Sequence, residues 1–179
     1  MNKNLLNLFT ESFEQFLEYD LNNILNNVAE RNLCSRLGFN IELNLKKYGI
    51  EGYYADTEYN RKQEGQVKTI LDDEMEIVPV QCDLIIHSRG EIISKDNLIA
   101  IEMKKSTRPN SEKISDRKRL RALTKESYDD IWSNDGIALP EHVCGYDIGI
   151  YLILNIQKRN FEIEYYSKGT LRKQEIRQF

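Results

Sequence analysis

Three charged side chains stand inside runs that ought to be buried. Cys82-Asp83-Leu84-Ile85-Ile86-His87 and Leu98-Ile99-Ala100-Ile101-Glu102-Met103-Lys104 are short apolar segments, the pattern of buried β-strands. An unpaired ion in such a strand is costly, so Asp83, Glu102 and Lys104 call for a chemical reason. A hard divalent cation supplies one. Mg²⁺ binds through few protein carboxylates and keeps several waters, and it can activate water and stabilise charge on a phosphodiester under attack. Asp83 and Glu102 are the expected carboxylate ligands. The Met103 carbonyl, between Glu102 and Lys104, is a candidate backbone ligand. Lys104 is expected to orient the water or to stabilise the developing charge.

Strand geometry allows these groups to meet. Side chains alternate along a strand, so Glu102 and Lys104 share a face with Leu98 and Ala100, opposite Ile99, Ile101 and Met103. Asp83, Ile85 and His87 share a face of the earlier strand. If the two strands are neighbours with a modest stagger, Asp83 meets Glu102 and Lys104. The plainer alternatives are strand-end charges reaching water and a solvated turn aspartate. His87, further along the Asp83 face, reads as a satisfied or exposed histidine. His142, beside Pro140 and without a companion, has no assigned role.

Asp83, followed after eighteen residues by Glu102-Met103-Lys104, resembles the signature of the PD-(D/E)xK nuclease superfamily. The order of elements resembles that superfamily too: a helical N-terminus containing Glu30, a strand at Tyr53 to Tyr59, the Asp83 strand, the Glu-x-Lys strand, a basic helix at about Ile114 to Ser127, and an apolar strand from Tyr146 to Leu154. The residue before the aspartate is Cys82 where the pattern has proline. Glu58-Tyr59-Asn60-Arg61 resembles a tetrapeptide of small bacterial members. The resemblance implies a restriction-endonuclease-like αβββαβ core, a small stand-alone bacterial or phage-type protein, Mg²⁺ or Mn²⁺ as cofactor, and products with a 5′-phosphate and a 3′-hydroxyl. It also implies that a glutamate of the first helix joins the metal site. Glu30 matches that place, and Glu58 is the other candidate.

Charge is unevenly distributed. The net value is −4, yet from Lys104 to Lys125 nine basic residues face only Glu112 and Asp116, a local net of +7. Such a stretch beside the candidate lysine is where a phosphate backbone would be held. The ordinary reading of a charge run is a solvated helix face. Lys105, Lys113, Arg117 and Arg121 are the candidate nucleic-acid contacts, the last three along one helical stripe. Asp116 is read as a possible cap of this helix.

The remaining elements frame these residues. Leu5, Phe9, Phe13, Phe16, Leu17, Leu21, Ile24, Leu25 and Val28 recur at helical spacing. They predict one long helix or two joined near Asp20, packed as core or partly as a dimer face. A continuation from Arg31 to Leu37 is expected to end at Gly38. Lys46 to Gly52 reads as a turn, Arg61 to Glu76 as a mobile loop or hairpin, and Tyr128 to Val143 as a loop or short helix containing Trp132. Gly149 is expected to allow close packing within its strand. Phe161 to Tyr166 is a partnering strand, and Ser167 to Phe179 a polar tail expected to fray.

At 179 residues the chain suits one domain: a helical segment over 1–38, a core over 50–166 and a tail over 167–179. Alternating elements predict an α/β fold, with a mixed central sheet flanked by helices. The first three strands should form an antiparallel meander, and the strand after the basic helix should join by a crossover. No run approaches a membrane span, and the N-terminus lacks the pattern of a signal peptide. Cys34, Cys82 and Cys144 have neither metal-ligand nor disulfide spacing, which predicts a reducing, cytoplasmic setting. The expected activity is metal-dependent hydrolysis of a nucleic acid, DNA in the first instance, with loops, a homodimer or a protein partner supplying specificity. The alternative is a non-catalytic or partner-dependent nucleic-acid-binding or interaction module on the same fold.

Overall fold

In the computed structural model, residues 1–59, 69–71, 77–79, 82–128, 132–133 and 143–179 are described. The N-terminal stripe forms two helices, α1 (Lys3–Tyr19) and α2 (Leu21–Leu25), which separate at Asp20. Asn2 starts α1 by accepting from the Asn4 and Leu5 amides, satisfying donors that the first turn leaves open. Asp20 is buried and accepts from Asn23 and from Arg36.

The third helix, α3 (Glu30–Leu45), corrects the expected stop at Gly38. Gly38 lies within it because the helix presses on the sheet there: a Cβ would stand 3.0 Å from Leu84 Cδ1. The chain leaves α3 through a 3₁₀ turn, Lys46–Tyr48, closed by Gly49 in the left-handed conformation.

The strands are β1 (Tyr54–Thr57), β2 (Thr69–Leu71), β3 (Ile77–Pro79), β4 (Leu84–His87), β5 (Asn97–Lys105), β6 (Ser127–Tyr128), β7 (Trp132–Ser133), β8 (Ile148–Asn155), β9 (Asn160–Ser167) and β10 (Thr170–Gln178). Six of them form one mixed sheet in the order β1-β4-β5-β8-β9-β10. β1, β4 and β5 make the antiparallel meander. β5 and β8 are parallel, joined across the helix α4 (Asn110–Leu123). The α/β class and the mixed sheet flanked by helices are therefore as expected.

The tail does not fray. Thr170–Gln178 pairs with β9 as an edge strand, and its mostly exposed, charged side chains suit an unpaired sheet edge. β2, within the stretch from Arg61 to Glu76, pairs antiparallel with β3 just beyond it, and β6 pairs with β7 near Trp132. Asn60, Arg61 and His142 lie outside the described residues.

Two apolar layers fill the faces of the sheet. One joins α1 and α3 to Leu84, Ile86, Ile99, Ile101, Met103 and the facing residues of β8 and β9. The other joins Leu120 and Leu123 of α4 to Ile85, Ala100, Tyr151, Ile153 and Tyr166. Gly149 lets α4 approach β8: a Cβ there would meet Thr124 Cγ2 at 3.0 Å, Tyr166 Cβ at 3.3 Å and Leu120 Cδ2 at 3.4 Å. Replacing Gly149 by valine should therefore cost about 1–3 kcal/mol through overpacking. Denaturant unfolding checks this, and a variant as stable as the parent would remove Gly149 as the contact that sets the α4–sheet distance.

Candidate active site

The site forms where β4 stops and β5 continues. The β4–β5 pairing matches Ile85 with Ala100 and Leu84 with Ile101, so one further step sets Asp83 beside Glu102. Beyond Ile101, β5 keeps β8 on one side as far as Lys105, while β4 has ended at Leu84. Both hydrogen-bonding groups of a strand residue face the same neighbour. The amides of Met103 and Lys105 on the β4 side must therefore find other acceptors. Carboxylates serve: Met103 N donates to Asp83 Oδ2 at 2.9 Å, and Lys105 N donates to Glu30 Oε1 at 2.8 Å. The Ile101 carbonyl on this edge accepts from the Cys82 thiol. The Met103 carbonyl lies on the same edge as its amide.

On the α4 face of the sheet stand Glu102 and Lys104. Glu102 is 1% exposed, and one of its oxygens accepts from Arg119 of α4. Lys104, 15% exposed at its side chain, lies 3.4 Å from Asp116 Oδ2 and 3.9 Å from Glu112 Oε2. Asp116 does not cap α4. It is buried in mid-helix and also meets Arg119 at 3.4 Å and the Tyr151 hydroxyl at 3.3 Å. Pro109 holds the N-cap position of α4.

Asp83 and Glu102 are coupled carboxyls. Burial pushes both upward, and the negative charge of Asp83 adds to the rise at Glu102 against the pull of Arg119. Both carboxyls are thus raised from their ordinary values, Glu102 the further, and a hydrogen bond to Glu102 moderates the rise at Asp83. For Lys104, burial pulls downward but is outweighed by the carboxylates of Asp116, Asp83 and Glu30, so its ammonium is held more firmly than usual. Such a lysine is a fixed positive charge, not a base at neutral pH.

Asp83, Glu102 and Lys104 thus gather at one end of β5. Glu30 stands at the same end but caps the strand edge, 3.5 Å from Arg108, and Glu58 pairs with Arg31. Among the described residues, no group of three or more His, Cys, Asp or Glu side chains is placed to hold a metal ion. The structure therefore does not assemble Glu30 or Glu58 with Asp83 and Glu102 into one ligand set. The donor set that it does offer, two carboxyls and a backbone carbonyl, matches what Mg²⁺ asks of a protein. His87 is buried and contacts Asp56 at 3.1 Å, away from this set.

The basic residues divide. Arg117 makes a bidentate pair with Glu164 and lies over the Tyr151 ring. Lys113 donates to the Ser106 carbonyl, and Lys105 to the Asn27 carbonyl. Arg121 and Lys118 are exposed along α4, and Arg108 is exposed where α4 begins. Arg119, Asp116 and Tyr151 are the site residues that sequence reasoning missed. A signal for Asp116 was present: it stands four and seven residues before Leu120 and Leu123, the two leucines that face α4 into the core.

Asp83→Asn should raise stability at neutral pH, because the side-chain amide keeps an acceptor for Met103 N while removing one of two coupled charges. A carboxyl raised in the folded state favours folding below its unfolded pKa and loses that advantage as pH rises through the folded one. The gain should therefore vanish below about pH 3.8, the ordinary aspartate value. Glu102→Leu should instead cost about 3 kcal/mol, the low end for breaking a buried pair, since Arg119 is a quarter exposed. Thermal unfolding against pH separates the two, and equal effects of both substitutions would refute the coupling. No protein-family model matches the sequence, and comparison with curated proteins and with solved structures finds no match.

Proposed function

We propose that this chain is a divalent-metal-dependent nuclease acting on DNA, built on a restriction-endonuclease-like core. The observation that carries the reading is the convergence of Asp83, Glu102 and Lys104 at the end of β5. Asp83, just before β4, and Glu102 and Lys104 of β5 bring two raised carboxyls and a firmly protonated lysine together, oriented by separate contacts. Asp83, Glu102 and the Met103 carbonyl would hold Mg²⁺ or Mn²⁺. Bound there, the ion supplies Lewis-acid polarisation of a phosphate and activation of water.

The chain's own groups do the rest. Asp83 is anchored by the Met103 amide, which sets one carboxylate oxygen and leaves the other for a ligand. Lys104, braced by Asp116 and Glu112, would present a fixed positive charge to a phosphoryl oxygen that gains charge as water attacks phosphorus. Exposed Arg108, Lys118 and Arg121 extend positive charge along α4 and suit a phosphate backbone. Lys105 and Lys113 also serve backbone acceptors, as Arg108 also pairs with Glu30 and Glu112, and for Arg117 the bidentate pair makes a structural role the stronger one.

A second reading has its own observation. Asp83 and Glu30 cap the edge of β5 and Arg119 neutralises Glu102, so every charge also has a purely structural use. On that basis the chain is a nucleic-acid-binding or interaction module.

Incubation of the full chain with plasmid, single-stranded DNA and RNA, under Mg²⁺, Mn²⁺ or EDTA, distinguishes the two. Metal-dependent cleavage of DNA is expected, falling roughly 10²–10³-fold in Lys104→Ala and disappearing in Glu102→Ala/Lys104→Ala. Salt-sensitive binding that persists in EDTA without cleavage would favour the module instead.

A further inference from the structure

The carboxylate pair is not left bare. Arg119 projects from α4 onto the buried carboxylate of Glu102, donating through Nη1 to Glu102 Oε1. The same nitrogen stands 3.4 Å from Asp116 Oδ1, one turn earlier on the helix. The guanidinium therefore has two acceptors, one inside the site and one on its own helix. Lys104 leans on the other oxygen of Asp116, so that single carboxylate serves both cations. Glu102, at 1% exposure, has its approach on the α4 face taken by Arg119. A cation that binds Glu102 must displace that contact or share the carboxylate with it, and like charges at such range repel strongly away from water.

Resting on the metal-site reading above, we infer that Arg119 is a built-in counter-ion. It holds Glu102 in the metal-free protein and is displaced onto Asp116 when a divalent cation binds. Arg119 is thus a positioning residue that weakens metal affinity, not a group that touches substrate. This arrangement keeps two adjacent carboxylates tolerable without metal and couples occupancy of the site to the seating of α4. That helix carries the exposed cations Lys118 and Arg121, so metal binding would adjust the surface offered to a phosphate backbone.

Calorimetric titration of the full chain with Mn²⁺ tests the inference without reference to cleavage. Arg119→Gln should bind Mn²⁺ roughly tenfold more tightly or better, since a unit charge is removed beside the ion. Arg119→Lys, which restores the charge, should return affinity towards that of the parent. Asp83→Asn added to Arg119→Gln should abolish binding. If the parent binds Mn²⁺ and Arg119→Gln binds equally or less well, the counter-ion role is overturned while the metal site stands. If parent and Arg119→Gln both unfold cooperatively and neither binds Mn²⁺, the metal-site reading fails and takes the inference with it. A second measurement covers an Arg119→Gln chain that does not fold. In the parent protein the Arg119 Nε–H resonance should shift, and exchange faster with water, on saturation with Mg²⁺; a resonance unmoved by bound Mg²⁺ overturns the inference.

Discussion

The molecule is organised around a mismatch in strand length. β5 runs nine residues, from Asn97 to Lys105, while β4 covers only its first half and stops at Leu84. A strand edge inside a protein cannot be left open, because a backbone amide without an acceptor loses the hydrogen bond it had with water. Side chains carry the ladder onward. Asp83 and Glu30 accept the Met103 and Lys105 amides, and the Cys82 thiol donates to the Ile101 carbonyl. The carboxyl groups are thus brought to the end of β5 by the same requirement that completes the sheet.

The opposite side of the strand is governed by charge. Glu102 and Lys104 project towards α4, whose apolar contacts with the sheet come from Leu120, Ala122 and Leu123. Asp116 and Arg119 lie among those contacts and answer the two charges from β5, while Arg117, Glu164 and Tyr166 form a neighbouring network. Buried ion pairs of this kind add little net stability, because desolvation offsets attraction. What they contribute here is placement: α4 has one rotation at which Asp116 and Arg119 both find partners. That rotation leaves Lys118 and Arg121 outward.

These two requirements converge on one place, which is why a structural and a catalytic use of the same residues are compatible. On the proposed reading, Asp83 would satisfy a backbone amide with one oxygen and hold an ion with the other. On the same reading, Lys104 would brace Asp116 and face a phosphate. Perturbed carboxyls cluster at sites that bind or react and also occur in structural ion-pair networks; burial raises both Asp83 and Glu102, and a cation or a proton relieves that strain. Arg119 sets a positive charge beside Glu102 from within the chain.

Much of this was legible in the order of residues. Continuous apolar runs over 82–87 and 98–104, with side chains alternating along each strand, put Glu102 and Lys104 on one face and Asp83 within reach of it, and the aromatic stripe of α1 marked its buried side, because apolar spacing is a local property of the chain. Local signals misled at Gly38, where close approach to Leu84 and not helix termination explains the glycine. They misled again at 167–179, where a polar segment pairs with β9 because an edge strand needs only backbone partners and one sheltered side. Most of the elements and the positions of the three charged residues were thus legible in the sequence alone. The overhang of β5, the use of Glu30 as its cap, and the meeting of Arg119 with Glu102 were decided only in three dimensions, because each depends on which strand ends beside which and on the rotation of a helix packed across them.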